Sequence, residues 1–260
     1  MKKSINERSG SCITPFEENQ SIRIYLEGPP RDWKKVVADH EALTMYAEKL
    51  ESYKVFVPRL SLSTGMLAKE CRFKKKFING SLVLGDVDTD GTTLREGDSI
   101  AMATGDCPTV VFWTPERSNR TVVVHAGRKS VLSGVIYNAV RKLGCSKKTM
   151  HLINVYIVLG IGPKHFDHPM NHPEYGEANV RMIDKICRTY SDRCFSDLKK
   201  GCLDLSELIA SQCTRAGIPR DNVVHDGRDT FSDRLPDGSY AWYSNRRGDR
   251  SRNLVFVQNR

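Results

Sequence analysis

Gly105-Asp106-Cys107-Pro108-Thr109-Val110-Val111-Phe112-Trp113 and, after a polar turn, Thr121-Val122-Val123-Val124-His125-Ala126-Gly127 are the segments on which the fold depends. Each carries a short β-branched or aromatic run bounded by turn residues, as buried strands do. Between them Pro115 and Asn119 mark a turn, so the spacing predicts an antiparallel hairpin centred near Glu116. In that register Cys107 faces His125, and directly opposed residues hold their Cβ atoms about 5 Å apart. A thiol beside an imidazole is a nucleophile with its base, a pair of metal ligands, or two packed core residues. The spacing leaves all three open.

Outward from this hairpin, the stretch 99–103 reads as a further strand, and the Gly-, Asp- and Thr-rich stretch 82–98 holds an Asp-Gly turn at 90–91. Ser130 is expected to cap a helix with apolar positions Val131, Leu132, Val135, Ile136, Ala139, Val140 and Leu143, ended by Gly144. Upstream, residues 21–27 alternate as a half-buried strand. Asp32 then caps one helix whose apolar face runs from Trp33 to Leu50. Residues 55–57 form a strand stopped or pushed to an edge by Pro58. Downstream, strands are expected over 152–161 and near 222–225, 240–244 and 253–258, with helices around 176–190 and 205–216. Residues 1–20 read as a flexible arm, leaving 21–260 as one domain.

The 260 residues are 39% hydrophobic and 27% charged, an ordinary globular balance. No apolar run is long enough to span a bilayer, and the basic start lacks the apolar middle of a secretion signal. The expected location is therefore the cytoplasm, with no membrane partner. Eight cysteines without a C-x-x-C pair argue against a closed zinc finger and read as reduced thiols, with Cys187 and Cys213 in the core. The formal charge of +9 favours anionic partners. The basic run 72–77 reads as an exposed loop or edge strand, and nucleic acid is not an expected partner.

Five short elements resemble, in order, those of the laccase-domain family, also called peptidoglycan editing factors or polyphenol oxidases. They are Gly105-Asp106-Cys107-Pro108, Val124-His125-Ala126-Gly127 with Gly134 beyond it, Gly160-Ile161-Gly162-Pro163, Leu203-Asp204-Leu205, and Trp242-Tyr243-Ser244-Asn245-Arg246-Arg247. The resemblance implies a single α+β domain of mixed β-sheets flanked by helices. It also implies phosphorolysis of purine nucleosides, with adenosine deamination in some members, and nucleoside and phosphate as partners. Arg128, Lys129 and Arg247 are then the phosphate-binding candidates. A zinc ion on two histidines and a cysteine is implied too, with Cys107 and His125 matching two of the ligands. The family's first histidine falls where this chain has Ser61 or Ser63, and no histidine lies between His40 and His125. His165 or His168, in a loop that also holds His172, could replace it. Alternatively the metal is lost and Cys107 and His125 form a thiol dyad. That arrangement is similar to the related cytotoxic-necrotizing-factor-like cysteine hydrolase fold of glutamine-deamidating toxins. A non-catalytic protein binding a nucleotide or protein is the remaining alternative. Without paired His-x-His segments, copper is not expected.

Overall fold

A computed structural model describes residues 11–60 and 65–260. In chain order the strands are β1 Ser11–Ile13, β2 Ile22–Glu27, β3 Lys54–Arg59, β4 Lys74–Ile78, β5 Ser81–Asp88, β6 Gly91–Arg95, β7 Ser99–Thr104, β8 Thr109–Trp113, β9 Arg120–His125, β10 Asn154–Val158, β11 Phe195–Asp197, β12 Cys202–Leu203, β13 Val223–His225 and β14 Asn253–Asn259. The helices are α1 Trp33–Ala38, α2 His40–Lys49, α3 Arg128–Leu132, α4 Val135–Leu143, α5 Gly176–Thr189 and α6 Leu205–Arg215.

Strands β8 and β9 are apolar on both faces because each face meets a separate core. Val110, Phe112, Val122 and Val124 pack on one side with Ile136 and Leu143 of α4, Ile186 of α5 and Leu208 of α6. Val111, Trp113 and Val123 pack on the other side against Ile24, Phe56, Leu84 and Ile100 of a second sheet. That sheet's outer face, through Val55, Ala101 and Phe256, is covered by Trp33, Val37, Leu43 and Ala47 of α1 and α2. The result is a four-layer helix–sheet–sheet–helix domain, an α+β fold with mixed sheets. The larger sheet has the order β1-β2-β14-β7-β3-β5-β4 and the smaller β13-β10-β8-β9-β6. Burying each large apolar side chain in these layers contributes about 1.5–3 kcal/mol before entropic costs.

Several local expectations are corrected. Residues 11–20 are not a loose arm: β1 pairs with β2, and Phe16 is buried and stacked on Trp113 at 5.6 Å. Asp39 breaks the expected long helix in two, because its side chain accepts from the N–H groups of Glu41 and Ala42 and so starts a new one. Strand β3 continues through Pro58 in the middle of the sheet. This is possible because its pairing with β7 ends at Phe56 and a register shift accommodates the proline on the β5 side. The helix after residue 127 is also two, divided at Gly134, whose φ of 91° lies in the left-handed region that suits glycine. Residues 240–244 form no strand; Tyr240 makes only an isolated bridge with Arg234. All eight cysteines carry free thiols; Cys213 is buried and Cys187 half-buried. No helix among the described residues is long and apolar enough to cross a membrane.

Candidate active site

The hairpin forms, but two residues out of the expected register: His125 pairs with Thr109, not with Cys107. The hairpin is centred on Arg117 instead of Glu116, with Pro115–Arg117 forming a 3-10 turn before β9 begins at Arg120. An even displacement keeps every side chain on its face, so Cys107 and His125 still meet, diagonally instead of directly opposite. They converge on Gly127. A Cβ there would stand 2.9 Å from Cys107 Sγ and 3.2 Å from His125 Cε1. Gly127 is thus required for close approach. Gly127→Ala will push the thiol and imidazole apart with the fold intact, and a displacement of that kind costs about 100-fold in rate. Steady-state kinetics beside a thermal melt check this, and an unchanged rate would refute it.

Asp90, read from the sequence as half of a turn, completes the constellation. Its carboxylate is buried and lies 3.5 Å from His125 Nδ1. It also accepts from Ser130 Oγ at 2.7 Å and from the Gly65 N–H at 2.6 Å, while its carbonyl accepts from the His125 N–H at 2.6 Å. Ser130 is therefore not a helix cap but a buried side chain of α3 that fixes Asp90. Burial opposes charging His125, but its hydrogen bonds to Asp90 and Cys107 outweigh it and hold the pKa up at about 9. The Asp90 carboxyl is held below its ordinary value; burial raises it, and the His125, Ser130 and Gly65 bonds prevail. Carboxylate, imidazole and thiol lie in one line, the order in which an acid–base relay is built.

Arg128 stands half-buried beside this line. Burial and the charge of Arg246 weaken its hold on its proton, while Cys107 attracts it. Arg246 is placed by its own N–H, which donates to Asp106 Oδ2 at 2.7 Å, and Thr230 Oγ1 donates to Asp106 Oδ1 at 2.8 Å. The guanidinium of Arg246 lies over Phe166 and 3.4 Å from Asp167. The charges of Arg128 and Arg246 act on each other, and guanidinium groups suit anionic ligands.

Of the expected phosphate ligands, only Arg128 is placed at this centre. Arg247 is a strut: its guanidinium donates to the carbonyls of Thr230, Phe231 and Trp242, pairs with Asp249 and lies over Tyr240. Lys129 is exposed and forms no ion pair among the described residues. The two residues missed were Asp90 and Arg246. The Arg-Arg pair announced one of its members without saying which.

The described donors do not fit a three-ligand zinc. His165 stacks on Phe231 at 4.3 Å. His168 is buried with Nδ1 3.3 Å from the Gly201 carbonyl, and burial together with Arg128 pushes its pKa down to about 4. Neither converges with Cys107 and His125: among the described residues no three His, Cys, Asp or Glu side chains gather for a metal. Ser61 and Ser63 lie outside the described residues.

Layering and site together define a four-layer α+β protein with a Cys–His–Asp line at the end of its central hairpin. The chain belongs to the family described as multi-copper polyphenol oxidoreductase laccase, whose model matches residues 63–257. Solved structures with the same fold include the hypothetical protein YfiH of Bacillus licheniformis, at 18% identity and TM-score 0.65 over 92% of this chain and 93% of that one. A Neisseria meningitidis protein of the DUF152 family is 14% identical, with TM-score 0.67 over 97% and 99% of the two chains. YlmD of Geobacillus stearothermophilus is 18% identical, with TM-score 0.66 over 95% and 94%. No curated protein matches the chain.

Proposed function

We propose that this chain is a divergent purine-nucleoside phosphorylase-like transferase whose reaction runs on Cys107, His125, Asp90, Arg128 and Arg246. The observation that carries this reading is a half-buried Arg128 beside the thiol of a Cys107–His125–Asp90 line. Arg128 and Arg246 hold phosphate through charge-assisted hydrogen bonds. A phosphate oxygen attacks the sugar carbon C1′ as the bond to the purine nitrogen breaks, and the electron pair leaves on the base. His125, charged at neutral pH, supplies the proton the departing base needs, while Asp90 holds the ring in place. Cys107 positions the imidazole from the other side. No step uses a metal.

The test is release of free base from inosine and adenosine, with and without inorganic phosphate, followed by detection of pentose 1-phosphate. Arg128→Gln and Arg246→Gln are each expected to raise the KM for phosphate by about 10- to 100-fold, the worth of a hydrogen bond to a charged group. Base release that ignores phosphate overturns the reading.

The Cys–His–Asp line favours one second reading, a thiol hydrolase or deamidase with Cys107 as nucleophile and His125 as base. That reaction would leave a transient acyl group on Cys107, visible by mass spectrometry of the trapped enzyme, and would need no phosphate.

A further inference from the structure

A second positively charged cavity of about 560 Å³ lies between β4 and β6, the edge strands of the two sheets. Lys69, Lys75 of β4, Arg95 of β6, Arg120 of β9 and Lys142 of α4 all line it. None of the five forms an ion pair among the described residues. The single acidic residue in the lining, Glu70, is engaged by Lys54 at 3.0 Å, which also holds Asp98 at 2.9 Å. Arg95 and Arg120 are directly opposed across the β6–β9 ladder. Like charges in that position destabilise a sheet, and here nothing acidic in the lining is free to neutralise them. Lys69, Lys75 and Arg95 are exposed and Arg120 and Lys142 half-buried, so an anion from solvent can reach all five.

We propose that this cavity binds a small oligophosphate, a compound carrying several linked or clustered phosphoryl groups. The volume is in the range of small-ligand pockets, and five cations exceed what a single phosphate could neutralise. The two guanidinium groups suit paired hydrogen bonds to phosphate oxygens. Nucleic acid fits less well. Single-strand sites follow a line and offer aromatic side chains for stacking, whereas these cations converge from five places and no aromatic residue lines the cavity. The cavity shares no lining residue with Cys107, His125, Asp90, Arg128 or Arg246. Strand β6 connects the two regions, with Gly91 next to Asp90 at one end and Arg95 at the other, about 13 Å along at the strand rise.

The test is calorimetric titration of the whole protein with inorganic tripolyphosphate, supported by thermal melts. ATP and inositol hexakisphosphate serve as arms that separate a nucleotide source from an inositol source. Tripolyphosphate should bind once per chain and raise the melting temperature. Arg95→Gln/Arg120→Gln should weaken binding by about 100-fold, from two lost charge-assisted contacts, without lowering the melting temperature of the free protein. Cys107→Ser should bind as the natural chain does, which separates this site from the proposed reaction. The inference is overturned if the double variant binds as well as the natural chain, if sulfate at equal ionic strength gives the same response, or if only a uridine oligonucleotide binds.

Discussion

Cys107→Ser will lower kcat/KM for base release by about 1,000-fold, within the range general acid–base groups contribute, and His125→Gln will do the same. The serine is nearly isosteric, but its shorter C–O bond draws the polar atom back from the imidazole. Glutamine keeps a polar group against Asp90 while removing the titrating proton. Both changes leave the layered cores untouched, so the unfolding transition should remain cooperative. Because no three His, Cys, Asp or Glu side chains among the described residues are grouped to hold a metal, activity should also survive dialysis against a strong chelator. Activity lost to the chelator and restored by zinc would sink the metal-free mechanism. Cys107→Ser with full activity would sink any role for the thiol.

Asp90→Ala should be the most destabilising substitution in the site, at about 3–5 kcal/mol, because it leaves a buried charge and its hydrogen-bond donors unpaired. The side chain removed accepts from Gly65 and Ser130 and faces His125. Asp90→Asn isolates the charge from the packing. The folded pKa of His125, about 9, lies above the unfolded value of about 6.5. Its contribution to stability is therefore complete below about 6.5 and disappears as pH rises through 9. A tenfold change in proton affinity is worth about 1.4 kcal/mol, so the natural chain should lose on the order of 3 kcal/mol across that window. The carboxyl of Asp90 is held low, so its own contribution is lost at the acid end, as pH falls through its depressed pKa. Denaturant titrations on either side of the alkaline window check this. Asp90→Asn should flatten the alkaline decline, and an equally steep decline in that variant would show that the pairing is not its source.

The central hairpin was legible because both its strands are apolar on consecutive positions, which only a strand buried on both faces requires. The meeting of Cys107 and His125 was legible for a narrower reason. The register was wrong by two residues, and a period of two forgives an even error. Asp90 was hidden because Asp-Gly is also the commonest way to write a turn, and its partners Gly65 and Ser130 lie 25 and 40 residues away. Asp39 was hidden inside an apolar periodicity that continues across the break it makes. Arg246 and Arg247 are equivalent in sequence. Only the loop that bonds the Arg246 N–H to Asp106 and folds the Arg247 guanidinium over three carbonyls separates their roles. Lys75 lay in a basic run that reads as solvated edge. Its convergence with Arg95 and Arg120 depends on the junction of two sheets, which no local pattern encodes.

Strand β14 lies between β2 and β7 in the larger sheet, so residues 253–259 must enter a gap whose two walls are formed by residues 22–27 and 99–104. Until they do, both walls are open edges lined with Ile24, Leu26, Ile100 and Met102. Such long-range closure is slow, and open apolar edges pair readily with other chains. Refolding from denaturant should therefore be a race between insertion of one strand and aggregation, with yield falling as protein concentration rises. The same insertion brings Asn245 and Arg252 against Gly105 and the Arg246 N–H onto Asp106, so catalytic competence and escape from aggregation should arrive in a single event.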